Sequence, residues 1–188
     1  MNKTVKGEVR AKILEASRDL IIERGACSAS LFDIAERAGV SKGTLYYYFD
    51  MKDKLIMELA ELHFSKLASV MYDWVDDIAE ENPSKNALNS LLIELSNEPD
   101  ARMHLALLSY AAFSSDNLNS FITKKYDELL VIFEVGALRL FGANADNTIS
   151  SFFFTLFDGI ITRRAMGKPN SAANINAFLS LDENPLEI

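Results

Sequence analysis

Cysteine occurs once in 188 residues, as Cys27, so no internal disulfide framework can hold the chain. Histidine occurs twice, and His63 and His104 are too few and too far apart for a recognisable zinc site. No candidate catalytic triad, metal-ligand cluster or phosphate-cradling glycine-rich loop can be picked out, so no catalytic residue, metal or cofactor is expected. No apolar run reaches the roughly eighteen residues of a membrane span. Nor does an apolar segment follow the early charges of Met1-Asn2-Lys3-Thr4-Val5-Lys6-Gly7-Glu8 to make a signal peptide. These absences lead to the expectation of a cytoplasmic protein in a reducing compartment, with no membrane partner. Two-residue alternation is scarce, β-branched runs are few and there is no Asn-Gly or Asp-Gly hairpin signal, which leaves little room for a sheet.

Helical spacing recurs instead, and with 49% apolar residues the chain reads as all-α with a sizeable core. Ile13, Ala16, Ser17, Leu20 and Ile21 share one face of a first helix that Gly25 should stop. Ser30 with Asp33 three positions on has the form of a capping box, predicting a short helix from Leu31 to Ala38. Gly39 ends it and Ser41 can cap another, leaving only Gly39, Val40 and Ser41 between two short helices. That is the spacing of a helix-turn-helix, with Ile34, Ala35, Val40, Leu45 and Phe49 as its core. Asp50 with Asp53 offers a cap for a long fourth helix whose apolar positions include Leu55, Leu59, Leu62 and Leu67. Pro83 and Pro99 suit first turns, and Gly142, Gly167 and Pro169 mark stops, dividing the remainder into about five more helices.

The net charge of −8 argues at first against nucleic acid, but it is unevenly spread. Residues 1–54 carry ten Lys and Arg against eight Asp and Glu, net +2, which leaves residues 55–188 nine against nineteen, net −10. A mildly basic head can approach phosphates while an acidic body stays clear. Within that head, Ser41-Lys42-Gly43-Thr44-Leu45-Tyr46-Tyr47-Tyr48-Phe49 combines what a groove-reading helix needs. With Leu45 and Phe49 turned inward, Lys42, Gly43, Thr44, Tyr46, Tyr47 and Tyr48 are left on the outer and flanking faces. Gly43 permits close approach, Thr44 offers a hydroxyl and a methyl, Tyr47 can lie on thymine methyls, and Tyr46 and Tyr48 can donate to phosphates. Lys52 adds charge in the first turn of the fourth helix, and Ser30 and Ser41 sit at two other helix starts. The competing reading of three adjacent tyrosines is a packed aromatic cluster.

Asp33-Ile34-Ala35, then Ala38 through Phe49, then Lys52-Asp53-Lys54-Leu55, closely resemble the DNA-binding domain of TetR-type transcriptional regulators. The resemblance covers roughly residues 10–59. It implies that Thr44 and Tyr47 approach bases while Ser41, Lys42, Gly43, Tyr46, Tyr48 and Lys52 mostly hold the backbone of double-stranded operator DNA. It also implies a three-helix DNA-binding domain, drawn at 1–54, and a helical effector-binding and dimerisation domain at 55–188. Asp50 departs from the usual Lys or Gly and sets a negative charge near the DNA, where a capping role accounts for it.

The same resemblance implies a homodimer joined through the last two long helices and a small-molecule pocket inside each C-terminal domain. The residues agree in outline: the segment 149–161 is apolar nearly all round and needs cover on more than one side. Phe152, Leu156 and Ile160, with Ile175 and Phe178 from a short last helix, are the candidate dimer contacts. Met71, Trp74, Met103, His104, Leu107, Tyr110, Phe113, Phe133 and Phe153 are candidates to line an effector pocket, with Arg102, His104 and Arg139 available to an anionic ligand. The abundance of Phe suggests an apolar or aromatic effector. The expected function is a ligand-responsive regulator, a repressor released from a palindromic operator; the alternative is a helical small-molecule-binding or scaffold protein with a non-functional DNA-binding domain.

Overall fold

The computed structural model describes residues 3–78, 86–142 and 147–168. Among them every regular element is helical: α1 (Lys3–Arg24), α2 (Leu31–Arg37), α3 (Lys42–Tyr48), α4 (Lys52–Asp77), α5 (Asn86–Leu95), α6 (Glu98–Ala111), α7 (Asp116–Phe141) and α8 (Asn147–Ala165). The expected helix around Ile175 and Phe178, and the turn at Pro83, lie outside the described residues. Pro99 does fall in the first turn of α6, where Asn97 Oδ1 accepts from the Asp100 N–H at 3.3 Å. The chain divides into two compact units, one formed by residues 1–63 with 102–124, the other by residues 64–101 with the described residues from 125 onward.

In the first unit, α1 packs on α2 and α2 on α3 around Ile13, Leu20, Ile21, Ile34, Leu45, Phe49 and Leu55, all shut off from solvent. Arg37 on α2 grips Glu23 on α1 with both ends of its guanidinium, at 2.9 and 2.8 Å, a planar fork matched to a carboxylate. His63 and His104, 41 residues apart, meet in the interior with Nε2 and Nδ1 3.0 Å apart. Leu62, one of the apolar positions of α4, is exposed, while Leu59, Ala60 and His63 beside it are buried.

The second unit is built on aromatic rings. Trp74 stacks on Phe133 at 5.6 Å and 14°, Phe133 meets Phe154 edge-on, and Phe154 meets Tyr126, which in turn meets Phe64. Such edge-to-face and offset pairs suit the ring quadrupole. Trp74 lies so tight on α7 that a Cβ at Gly136 would stand 2.0 Å from its ring, so this helix position can hold only glycine. No helix among the described residues is long and apolar enough to cross a membrane.

Candidate nucleic-acid interface

The turn between α2 and α3 is closed by its own backbone. Gly39 N–H donates to Glu36 O at 3.1 Å and Val40 N–H to Ala35 O at 3.0 Å, the paired bonds of a Schellman ending. That ending needs a left-handed residue, and Gly39 supplies it at φ 65°. At the start of α2, Ser30 Oγ accepts from Asp33 N–H at 3.1 Å while the Asp33 carboxylate accepts from Ser30 N–H at 3.0 Å, completing the capping box. The hydrogen bonds from Ser30 hold the Asp33 carboxyl below the usual carboxylate range. At the start of α3, Ser41 Oγ accepts from Thr44 N–H at 3.0 Å.

With α3 fixed at both ends, Leu45 and Phe49 sit in the core and the rest faces out. Tyr46 is 51% and Tyr47 67% exposed, and Lys42 and Gly43 are exposed beside them. Gly43 has no positive φ, and a Cβ there would meet only Ser41 Oγ, at 3.9 Å. The fold therefore gives no reason for glycine at this position, whereas a close-lying partner does. Thr44 is half-buried and its Oγ1 lies 2.8 Å from Ser41 Oγ, so its hydroxyl shares in the cap. Ser30 and Ser41 likewise spend their hydroxyls on caps.

Three expected residues stand differently from the reading above. The Tyr48 hydroxyl is shut away from solvent and has no hydrogen-bond partner among the described residues, so it does not reach outward from the helix. Lys52 does not extend freely: its Nζ donates to Cys27 O at 3.3 Å and lies 4.9 Å from the centre of the Tyr110 ring. Burial there lowers its pKa. Asp53, expected to complete a cap on α4, instead accepts from Tyr110 Oη at 3.0 Å and Ser115 Oγ at 2.7 Å. Asp50 is neutralised by Lys54, 2.7 Å away, which keeps its carboxyl below the usual range and removes a free negative charge beside α3.

Other residues at this face were not anticipated. Lys42 Nζ stands 4.4 Å over the exposed ring of Phe32 on α2, a cation–π contact that aims the lysine. Lys6 Nζ on α1 donates to Tyr47 Oη at 3.3 Å and lies 5.2 Å from that ring's centre. Arg10, one turn further along, pairs with Glu58 and lies over Phe49. Lys6 and Arg10 are four residues apart on a helix, a spacing that puts them on one face and was there to be read.

The effector candidates divide between the units. Met71, Trp74 and Phe133 are buried in the second; Met103, His104 and Leu107 are buried in the first, with Tyr110 half-buried. Phe113 lines nothing: α6 has ended at Ala111, and the ring is 91% exposed in the turn that follows. His104 cannot serve as a cation, because burial first and the neighbouring His63 second push its pKa down to about 3. Arg102 donates to Ile22 O and Arg139 to Val75 O. Among the dimer candidates, Phe152 is 51% exposed and Leu156 half-buried, but Ile160 is only 5% exposed and packs within its own unit. The side chain of Phe153, and Ile175 and Phe178 altogether, lie outside the described residues.

Two capped helices, a four-residue turn locked by its own backbone, and a second helix that turns lysine, glycine and tyrosines outward define a helix-turn-helix protein. Residues 13–59 match the sequence family described as bacterial regulatory proteins, tetR family, and the similarity to that family lies in this N-terminal domain. The transcriptional regulator TtgR of Pseudomonas putida is 33% identical over 97 residues, a stretch covering 48% of this chain and 42% of that protein. The matched stretch thus spans less than half the length of the curated relative. Similarity of fold extends further: a TetR-family member from Streptomyces coelicolor aligns over 92% of this chain and 96% of its own, with a TM-score of 0.75 at 17% identity. The regulator FadR from Bacillus subtilis, solved with stearoyl-CoA, aligns over 92% and 96% with a TM-score of 0.68 at 22% identity.

Proposed function

We propose that this protein is a ligand-responsive transcriptional regulator that binds a palindromic operator as a homodimer and is released by a small apolar or aromatic effector. The observation that carries DNA binding is α3 itself, fixed at both ends and presenting Lys42, Gly43, Tyr46 and Tyr47, with a glycine that nothing inside the protein requires. Thr44 and Tyr47 read base edges, while Lys42 and Tyr46 hold phosphates. Support for an effector comes from the second unit, where a chain of rings from Trp74 to Phe64 offers apolar surface and the Trp74 Nε1–H is buried without a partner among the described residues. Support for dimerisation comes from α8, where exposed Phe152 and Gly159 stand seven residues apart and a Cβ on Gly159 would meet nothing within 4 Å.

Two copies place two recognition helices on successive major grooves, roughly 34 Å apart. The effector acts only if it binds one arrangement of those heads better than the other. We assign that role to α4, which contributes residues to both units. Selection of duplexes from a random pool tests the whole reading at once: two inverted half-sites about one helical turn apart are expected, bound with a steep salt dependence. Selection of no common sequence, with binding insensitive to salt, would reject it in favour of a scaffold.

A further inference from the structure

The end of α1 and the turn that follows it are held by two cations from far along the chain. Arg102 Nη1 on α6 donates to Ile22 O at 3.4 Å, and Lys52 Nζ, in the first turn of α4, donates to Cys27 O at 3.3 Å. Lys52 is itself seated on α6, 4.9 Å from the centre of the Tyr110 ring. The same tyrosine reaches the next residue of α4 with its hydroxyl. Tyr110 Oη donates to Asp53 Oδ1 at 3.0 Å, and Ser115 Oγ, just before α7, donates to Asp53 Oδ2 at 2.7 Å. Hydrogen bonds to a carboxylate are among the stronger ones a hydroxyl can make. One side chain therefore takes both members of an adjacent charged pair, the cation on its face and the carboxylate at its tip. Tyr110, Lys52 and Asp53 are half-buried, and every residue named here belongs to the first unit.

We infer that Tyr110 is a positioning residue for DNA binding: it clasps Lys52 and Asp53, and so ties the helix-turn-helix to α6 at the α1–α2 turn and at the start of α4. The DNA part of this inference rests on the proposed function. Tyr110 acts through its two partners and makes no contact with DNA. Because α1 packs on α2 and α2 on α3, fixing the α1–α2 turn and the first turn of α4 fixes the placement of α3 with them. A dimer that must set two such helices on one operator depends on that placement, whereas one head on a single half-site does not.

The test compares wild-type protein with Tyr110→Phe, Tyr110→Leu, Asp53→Asn and the double variant Tyr110→Phe with Asp53→Asn. Amide hydrogen exchange of the free protein reads the clasp. Ala29 N–H donates to Gly25 O across the α1–α2 turn, and Leu20 lies buried in α1, where exchange follows global unfolding. Tyr110→Leu should speed exchange at Ala29 several-fold relative to Leu20, with Tyr110→Phe in between because its ring still seats Lys52. Titration with a selected palindromic operator and with a duplex carrying one half-site reads the consequence. Tyr110→Phe and Asp53→Asn should each weaken the palindrome roughly five- to tenfold and leave the half-site within about twofold, and the double variant should be no worse than either. Equal acceleration at Ala29 and Leu20 is loss of stability alone and overturns the proposal, as does unchanged exchange at Ala29. Equal losses on the two duplexes, or losses that add in the double variant, overturn it as well. If exchange responds as expected while the wild-type protein binds neither duplex, the proposed function falls and takes the DNA part with it, leaving the clasp.

Discussion

Replacing Gly43 by alanine should make the protein more stable and a worse DNA binder, a combination that separates a glycine kept for a partner from one kept for the fold. Gly43 is the second residue of α3, has no positive φ, and a Cβ would have only Ser41 Oγ nearby, at 3.9 Å, an ordinary van der Waals contact. Alanine is the better helix former, so the substitution should raise stability by about 0.5 kcal/mol, near the low end of the usual range because the site lies in the first turn. If α3 lies in a groove, the new methyl must displace DNA groups already in contact. By analogy with overpacking inside proteins that costs roughly 1–3 kcal/mol, a fall of about 5- to 150-fold in affinity. Gly136→Ala is the control. Its Cβ would stand 2.0 and 2.2 Å from two ring atoms of Trp74, so it should lose roughly 1–3 kcal/mol of stability. Urea unfolding gives the first quantity and a fluorescence-anisotropy titration with operator DNA the second. A Gly43→Ala protein that binds DNA like the wild type would refute the idea that this glycine serves close approach.

Thr44→Ala or Tyr47→Ala should each cost roughly 1–3 kcal/mol of operator affinity and relax sequence preference, whereas Lys42→Ala should weaken all sequences alike and flatten the salt slope by about one unit. Equal losses with unchanged preference, read by competition among operator variants, would overturn the division of roles. Lowering the pH from 7 to 5 should cost the fold about 2 kcal/mol through His104, whose pKa near 3 in the folded state lies below its value of about 6.5 in the unfolded chain. The contribution is fully present above pH ~6.5 and drains away as the pH falls toward ~3; a His104 ring titrating above pH ~5 by NMR would contradict it. Phe152→Glu, on the exposed face of α8, should leave the monomer folded and weaken self-association and operator binding together, as read by analytical ultracentrifugation and anisotropy.

What the sequence made legible follows from the distance over which each signal acts. The ending of α2 at Gly39 was readable because every partner lies within a few residues: Gly39 and Val40 close on Glu36 and Ala35, and Ser30 and Asp33 cap each other. Likewise Leu45 and Phe49 turn inward because helix geometry alone places residues four apart on one side. The fate of the polar tips was not readable in this way. Asp53 looks like a capping residue locally, yet its carboxylate goes to Tyr110 and Ser115, about sixty positions on. Lys52 reads as a free cation and is drawn to Cys27 and Tyr110. The two histidines, dismissed as too far apart for a metal, meet each other across 41 residues.

The tyrosines of α3 show both sides of this. Successive residues on a helix point about 100° apart, so Tyr46, Tyr47 and Tyr48 had to face three directions. Which direction meets water and which meets α1 depends on a helix some forty residues earlier. Lys6 reaches Tyr47, and Tyr48 turns its hydroxyl inward instead of outward. The same local pattern therefore fits an exposed phosphate donor or a buried hydroxyl, and the residues of α3 alone do not separate the two. That is why the charge of residues 1–54, net +2, is a poor guide by itself: of its ten cations, Arg10 is paired with Glu58, Arg37 with Glu23 and Lys54 with Asp50. The cations that remain nearest the exposed face of α3, Lys6 and Lys42, are each set against an aromatic ring, Tyr47 and Phe32. An ammonium held over a ring is desolvated on one side and fixed in place, so less freedom is lost when a phosphate binds it. Binding strength at this face should accordingly depend more on Phe32 and Tyr47 as supports than on the net charge of the domain, and Phe32→Ala should weaken DNA binding although it removes no charge.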